Sequence, residues 1–151
     1  VLSLVGSNPV SVEAVGIPVL TERVDIANAR LRFENGCIAN LTASRISREQ
    51  VRKLRVFQPH ALVTVDYAEQ QLEAWRVSRS KDGSPSVHGG PVEVATVEPL
   101  ECEIRDFVHS VRNGSEPGVT GTAGRQALVV AEAITNEMED TNRLSEVDRV
   151  S

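Results

Sequence analysis

The chain has 151 residues, a mass of 16.4 kDa and a formal charge of −5, from 16 Lys and Arg against 21 Asp and Glu. That length gives one domain with a core of its own, and no apolar run approaches the roughly 18 residues of a membrane-spanning helix. A net acidic chain with 3% aromatic residues lacks the basic stripe and stacking rings of a nucleic-acid binder, and two cysteines, Cys37 and Cys102, make neither a disulfide framework nor a zinc site. They read as free thiols of a reducing, cytoplasmic compartment.

The chain opens Val1-Leu2-Ser3-Leu4-Val5, with no Met and without the basic region of a signal peptide. An apolar pentapeptide at a terminus reads as the continuation of something, so a fragment lacking an N-terminal partner is expected. Residues 11–15 alternate weakly and form a strand that stops near Gly16 and Pro18. The clearest segment follows. Ala27, Ala29, Leu31 and Phe33 alternate with Asn28, Arg30, Arg32 and Glu34. After Asn35-Gly36, Cys37, Ala39, Leu41 and Ala43 alternate with Ile38, Asn40, Thr42 and Ser44. Two period-2 runs around Asn-Gly predict a β-hairpin.

The pattern also selects the loop. A two-residue Asn-Gly loop pairs Glu34 with Cys37 and mixes apolar with polar residues on each face. A loop of Glu34, Asn35 and Gly36 pairs Phe33 with Cys37, Leu31 with Ala39 and Ala29 with Leu41, which makes one face wholly apolar. Register follows the buried face, so the longer loop is expected, with Gly36 left-handed in a type I turn plus bulge. The other face carries Asn28, Arg30, Arg32, Ile38, Asn40 and Thr42. Its small uncharged groups suit a ligand or protein surface, the alternative being an ordinary wet sheet face.

Further strands are expected at 53–57, 62–67, 71–77 and 92–97, with residues 78–91 as a polar loop. Short connections imply antiparallel neighbours in one sheet of six or seven strands. The last third turns helical. Pro99 suits a first helical position. Leu100, Ile104, Phe107, Val108 and Val111 form one apolar stripe, and Asn113-Gly114 ends it. Thr120 caps a second helix, whose stripe is Ala127, Val130, Ala131, Ile134 and Met138. The fold class is therefore α+β, a mainly antiparallel open-faced sheet with two C-terminal helices on one face. Residues 1–139 form the domain and 140–151 a polar tail. The face left open invites self-association.

Chemical motifs are scarce. No G-x-G-x-x-G follows a strand, and Gly121-Thr122-Ala123-Gly124 lacks the preceding strand, the third glycine and the later acidic residue. There is no G-x-S-x-G, H-E-x-x-H or C-x-x-C, and no metal site. His60 and His109 read as exposed or structural. His88, before Gly89-Gly90, has no structural reason and is kept as a ligand-contact candidate. Basic residues cluster at Arg45, Arg48, Arg52, Lys53 and Arg55, with Ser44 and Ser47 beside them. Guanidinium groups near hydroxyls suit phosphate or carboxylate, or else form a charged sheet edge that blocks unwanted pairing. The candidate binding residues are Ser44, Arg45, Arg48 and His88. No catalytic and no cofactor-binding residue is assigned.

The run from Asp25 through Asn35-Gly36 to Arg45 resembles the first hairpin of the C-terminal domain of the Gfo/Idh/MocA family of NAD(P)-dependent oxidoreductases. So do residues 52–57 with 63–67, the helix from Glu98-Pro99 to Asn113-Gly114, and Pro117 with residues 120–134. The resemblance covers nearly the whole chain in order. It implies a parent enzyme with a preceding Rossmann domain that binds NAD or NADP and carries a Glu-Lys-Pro motif, a catalytic His before Val1, a sugar or cyclitol substrate between the domains, and homo-oligomers formed through the open sheet face. The wording of Ser44-Arg45-Ile46-Ser47-Arg48 is most similar to members acting on nucleotide-linked amino sugars. The implied function is the substrate-binding and oligomerisation domain of such a dehydrogenase, inactive alone. The alternative is a stand-alone non-catalytic module that dimerises or binds a ligand.

Overall fold

Along the chain the elements run α1 (Leu2–Val5), β1 (Pro9–Ile17), β2 (Ile26–Phe33), β3 (Ile38–Ser44), β4 (Lys53–Gln58), β5 (Ala61–Asp66), β6 (Gln71–Arg79), β7 (Pro85–Val92), α2 (Pro99–Asn113) and α3 (Gly121–Val147). The computed structural model describes residues 1–80 and 82–147. The α+β class is as expected, and every strand pair is antiparallel. The strands hydrogen-bond not as one sheet but as two, β1-β2-β3 and β4-β5-β6-β7. The chain accordingly divides into two compact units, one of residues 1–47 with the chain from His109 onward, the other Arg48–Val108.

The first unit is built on the predicted hairpin. Ala29 pairs with Leu41 and Leu31 with Ala39. The Phe33 N–H donates to the Cys37 carbonyl at 2.9 Å and the Gly36 N–H to the Phe33 carbonyl at 2.9 Å. Gly36 has φ 82°, the left-handed position that a three-residue loop demands. Among the described residues, Ala29, Leu31, Phe33 and Met138 are the buried apolar side chains. Gly16 on β1 allows the close approach: a Cβ there would lie 2.8 Å from the Met138 sulfur and 2.7 Å from Val24 Cγ2. Thr141 Oγ1 then donates to the Ala14 carbonyl at 3.3 Å, fastening α3 to β1.

The packed side of α3 differs from the expected stripe. Val130, Ala133, Ile134, Met138 and Thr141 are shielded, whereas Ala127 and Ala131 are exposed. Alanine satisfies an apolar period without reaching a neighbour, and the Thr141 bond turns the helix toward its 133–141 side. The helix also continues through residues 140–147, read from sequence as tail, because no Gly or Pro interrupts them. Residues 148–151 of that tail lie outside the described residues.

α2 starts at Pro99 as expected. It ends with Gly114 at φ 63° and a Ser115 N–H bond to the Ser110 carbonyl at 3.1 Å. That six-to-one bond around a left-handed glycine is a Schellman cap. Its apolar stripe is exposed: Leu100, Ile104, Phe107 and Val111 keep 54–67% of their surface in solvent, and Val108 39%.

In the second unit β4 to β7 form a meander. Leu54, Val56, Val63, Val65, Leu72 and Ala74 share one half-buried face. β7 spans Pro85–Val92, all but Val92 within the stretch expected to be loop, and the strand expected at 92–97 is irregular after Val92. Its sequence PSVHGGPV has no alternation to reveal it. A glycine pair instead lets β7 lie close against β6, with Trp75 opposite Gly89 and Ala74 opposite Gly90.

Candidate functional site

Asp25 opens β2 with a buried carboxylate, its residue 3% exposed. Oδ2 accepts the N–H groups of Val19, Leu20 and Thr21 at 2.8, 2.7 and 3.0 Å. Arg45 Nε donates to Oδ1 at 2.5 Å, and Arg45 Nη2 donates to Thr21 Oγ1 at 2.7 Å. A third tie joins the Arg45 N–H to the Asp25 carbonyl at 3.1 Å. The Val19 and Leu20 N–H groups, with Thr21 and Arg45 adding to them, hold the carboxyl far below the ordinary aspartate range against the opposing effect of burial. One charged group thus folds residues 18–24 back onto the end of the hairpin. Beside it is a depression of about 320 Å³ lined by Val24, Asp25, Ala27, Ala43, Ser44 and Arg45. Ser44 Oγ faces Ser47 Oγ at 2.8 Å and accepts the Ile46 N–H at 3.4 Å.

Of the sequence-derived candidates, Ser44 and Arg45 therefore share one wall. Two of Arg45's guanidinium nitrogens are bonded within the protein, which fixes the plane of the group. Arg48 begins the second unit. His88 also belongs to that unit, on exposed β7 opposite Arg76, rather than in a loop. Asp25 escaped sequence reading because an acidic residue before a strand resembles any polar boundary; the signal was its place between a Pro-containing turn and an alternating run.

The second unit has a depression of about 350 Å³ lined by Lys53, Arg55, Phe57, Leu62, Thr64, Asp66, Gln71 and Glu73. Lys53 Nζ lies 3.0 Å from Asp66 Oδ2. Asp66 Oδ1 accepts the N–H groups of Ala68 and Glu69 at 3.0 and 3.1 Å. The Lys53 bond is the main cause of a lowered Asp66 pKa. Within the basic cluster, then, Arg45 and Lys53 each have an acidic partner.

The polar face of the hairpin is as patterned. Asn28 stands opposite Thr42, Arg30 opposite Asn40 and Arg32 opposite Ile38, all exposed. Thr42 Oγ1 donates to Asn28 Oδ1 at 2.9 Å. On β1 the same face continues with Glu13 opposite Arg30 and Val15 opposite Asn28, so the β2–β3 rungs carry no carboxylate and β1 supplies one beside them.

The residues at the start of α3 do not fit a dinucleotide. Thr120 Oγ1 caps the Ala123 N–H at 3.1 Å, and residues 115–119 before it are not a strand. Gly121 and Gly124 have open space where a Cβ would stand, so neither marks a close backbone approach. No group of three His, Cys, Asp or Glu among the described residues is placed to hold a metal ion. No described helix is long and apolar enough to cross a membrane.

No protein-family model matches the chain. It is 35% identical over 131 residues to the UDP-N-acetylglucosamine 3-dehydrogenase of Acidithiobacillus ferrooxidans, a match spanning 86% of this chain and 42% of that enzyme. The solved structure of that dehydrogenase, GnnA, superposes with a TM-score of 0.82 over 92% of this chain and 43% of its own, at 32% identity. An aldose-aldose oxidoreductase from Caulobacter crescentus, solved with glycerol, gives 0.71 at 26% identity, covering 93% of this chain and 42% of that one. The chain thus spans less than half the length of the relatives it matches. Sequence and fold together place it with the C-terminal domain of the Gfo/Idh/MocA-type oxidoreductases.

Proposed function

We propose that the chain is the substrate-binding and assembly domain of an NAD(P)-dependent sugar dehydrogenase, and that the sugar is a nucleotide-linked amino sugar. The observation carrying this is the joint sequence and structural match to a UDP-N-acetylglucosamine 3-dehydrogenase. In this reading the nicotinamide nucleotide is bound outside these residues, which the open glycines and the Thr120 cap at the start of α3 support. No step of hydride transfer is therefore assigned to these residues. Their part is binding. Ser44 offers a hydroxyl, Arg45 a guanidinium held in plane by Asp25 and Thr21, Arg48 a charge suited to phosphate oxygens, and His88 an imidazole on β7. The exposed α2 stripe, with Ile104 and Phe107 at its centre, is the face turned to the remaining polypeptide.

A hybrid tests the assignment. This chain, joined to the part of the A. ferrooxidans enzyme that it does not span, is expected to reduce NAD+ or NADP+ with UDP-N-acetylglucosamine. The chain alone is expected to leave NADH fluorescence unchanged. A hybrid that binds NADH and turns over no nucleotide sugar overturns the substrate. Saturable micromolar NADH binding by the chain alone overturns the placement of the cofactor.

Assembly is assigned to the hairpin face of Asn28, Arg30, Arg32, Ile38, Asn40 and Thr42. A two-fold pairing buries such a face against its own copy, over about 1,200–2,000 Å² in total. Light scattering after gel filtration is expected to show a dimer or larger that Thr42→Arg dissociates. A monomer at tens of micromolar, unchanged by Thr42→Arg, refutes it. Because α2 also exposes Ile104 and Phe107, both changed to Ser serve as the control; association through the sheet survives that change.

A further inference from the structure

We propose that Gln70 is a latch that fixes where α2 leaves the four-stranded sheet. Gln70 closes the turn between β5 and β6 and has φ 52°, the one positive φ among the described non-glycine residues. A residue with a Cβ occupies the left-handed region only where its surroundings hold it there. What holds Gln70 is its own carboxamide. Nε2 donates to the Val97 carbonyl at 2.9 Å, and Oε1 accepts the Val97 N–H at 2.9 Å. The pair reproduces the two-way exchange of an antiparallel bridge, with a side-chain amide in place of a second strand.

The position of this bridge gives it its consequence. Residues 93–98 carry no regular structure, so nothing within them sets the direction of the helix that follows. Val97 stands two residues before Pro99, and the next residue, Glu98, caps α2 by accepting the Glu101 N–H on Oε2 at 2.5 Å. A hold on Val97 is therefore a hold on the first turn of α2. At its other end the latch is braced by the turn it grows from, since Asp66 accepts the Ala68 and Glu69 N–H groups and pairs with Lys53. The chain of contacts runs from Lys53 through Asp66 and Gln70 to Val97 and the helix cap. The latch rests on this geometry alone, and would orient α2 whether or not α2 faces the remaining polypeptide of a dehydrogenase.

Amide hydrogen exchange on the intact chain tests it. Gln70→Asn keeps a residue tolerant of the left-handed region but is one methylene too short to span. Gln70→Gly removes both the strain and the bonds. Either is expected to speed exchange at the Val97 amide by about tenfold, the scale on which a local opening is read, with Val63 and Val65 in β5 unchanged. Gln70→Glu keeps the acceptor for the Val97 N–H, loses the donor, and is expected to fall between. Acceleration at Val97 below about threefold in both Gln70→Asn and Gln70→Gly overturns the latch. So does an acceleration at Val63 and Val65 equal to that at Val97, because Gln70 would then serve the sheet as a whole.

Discussion

Phe33→Ala is expected to destabilise the first unit by about 3–5 kcal/mol. Phe33 and Leu31 are each 1% exposed, the most deeply buried large side chains described. The apolar core they share with Ala29 and Met138 is small, so losing a ring leaves a cavity with few neighbours to fill it. Relaxation is limited as well. Phe33 is pinned at the mouth of the hairpin by its N–H bond to Cys37 and by the Gly36 bond to its carbonyl, and β1 closes the other side with Pro9 opposite. Urea unfolding followed by circular dichroism gives the loss. Fluorescence of Trp75, the only tryptophan, reports on the other unit. A loss below about 1 kcal/mol would mean that this face is not core. A Trp75 transition that stays in place while the circular-dichroism transition moves would show that the two units unfold separately.

The hairpin was legible because alternation has only one register that makes one face wholly apolar, with Ile38 left on the other. Leu31 and Ala39 face each other for that reason, and Gly36 turns the loop for the same one. The ends of α2 were legible because Pro99 and Gly114 each have a backbone reason to be there. The division of the strands into two sheets was not, since alternation gives a strand its faces and says nothing about which edge meets which. The first wall of the candidate site was half legible. Ser44 and Arg45 were marked by their chemistry, but the group that holds Arg45, Asp25, is itself fixed by three backbone N–H groups that have no signature in sequence. Apolar period alone misplaced Ala127 and Ala131, whose side chains are too short to make burial depend on them.

β7 was hidden for a reason that makes a sharp prediction. Glycine is ordinarily a poor strand former, and a Gly-Gly pair beside Pro91 reads as loop. Here the pair is what permits the strand. Gly89 and Gly90 have φ 141° and 149°, a region closed to other residues. At Gly89 a Cβ would stand 2.0 Å from the Ala74 carbonyl oxygen and 2.8 Å from Trp75 Cα. These are backbone atoms of β6 and have no rotamer by which to give way. At Gly90 a Cβ meets nothing within 4 Å. Gly90→Ala should therefore cost only the dihedral strain, about 1–3 kcal/mol. Gly89→Ala should add an overlap of about 1–3 kcal/mol, for a total of about 2–6 kcal/mol. Relief requires β7 to peel from β6, which would free His88 from its place opposite Arg76 and uncover one edge of Trp75. Urea midpoints for the two variants, followed by Trp75 fluorescence, separate the contributions. Equal losses for Gly89→Ala and Gly90→Ala would show that β7 does not approach β6 as closely as this, and that the two glycines serve the backbone angle alone.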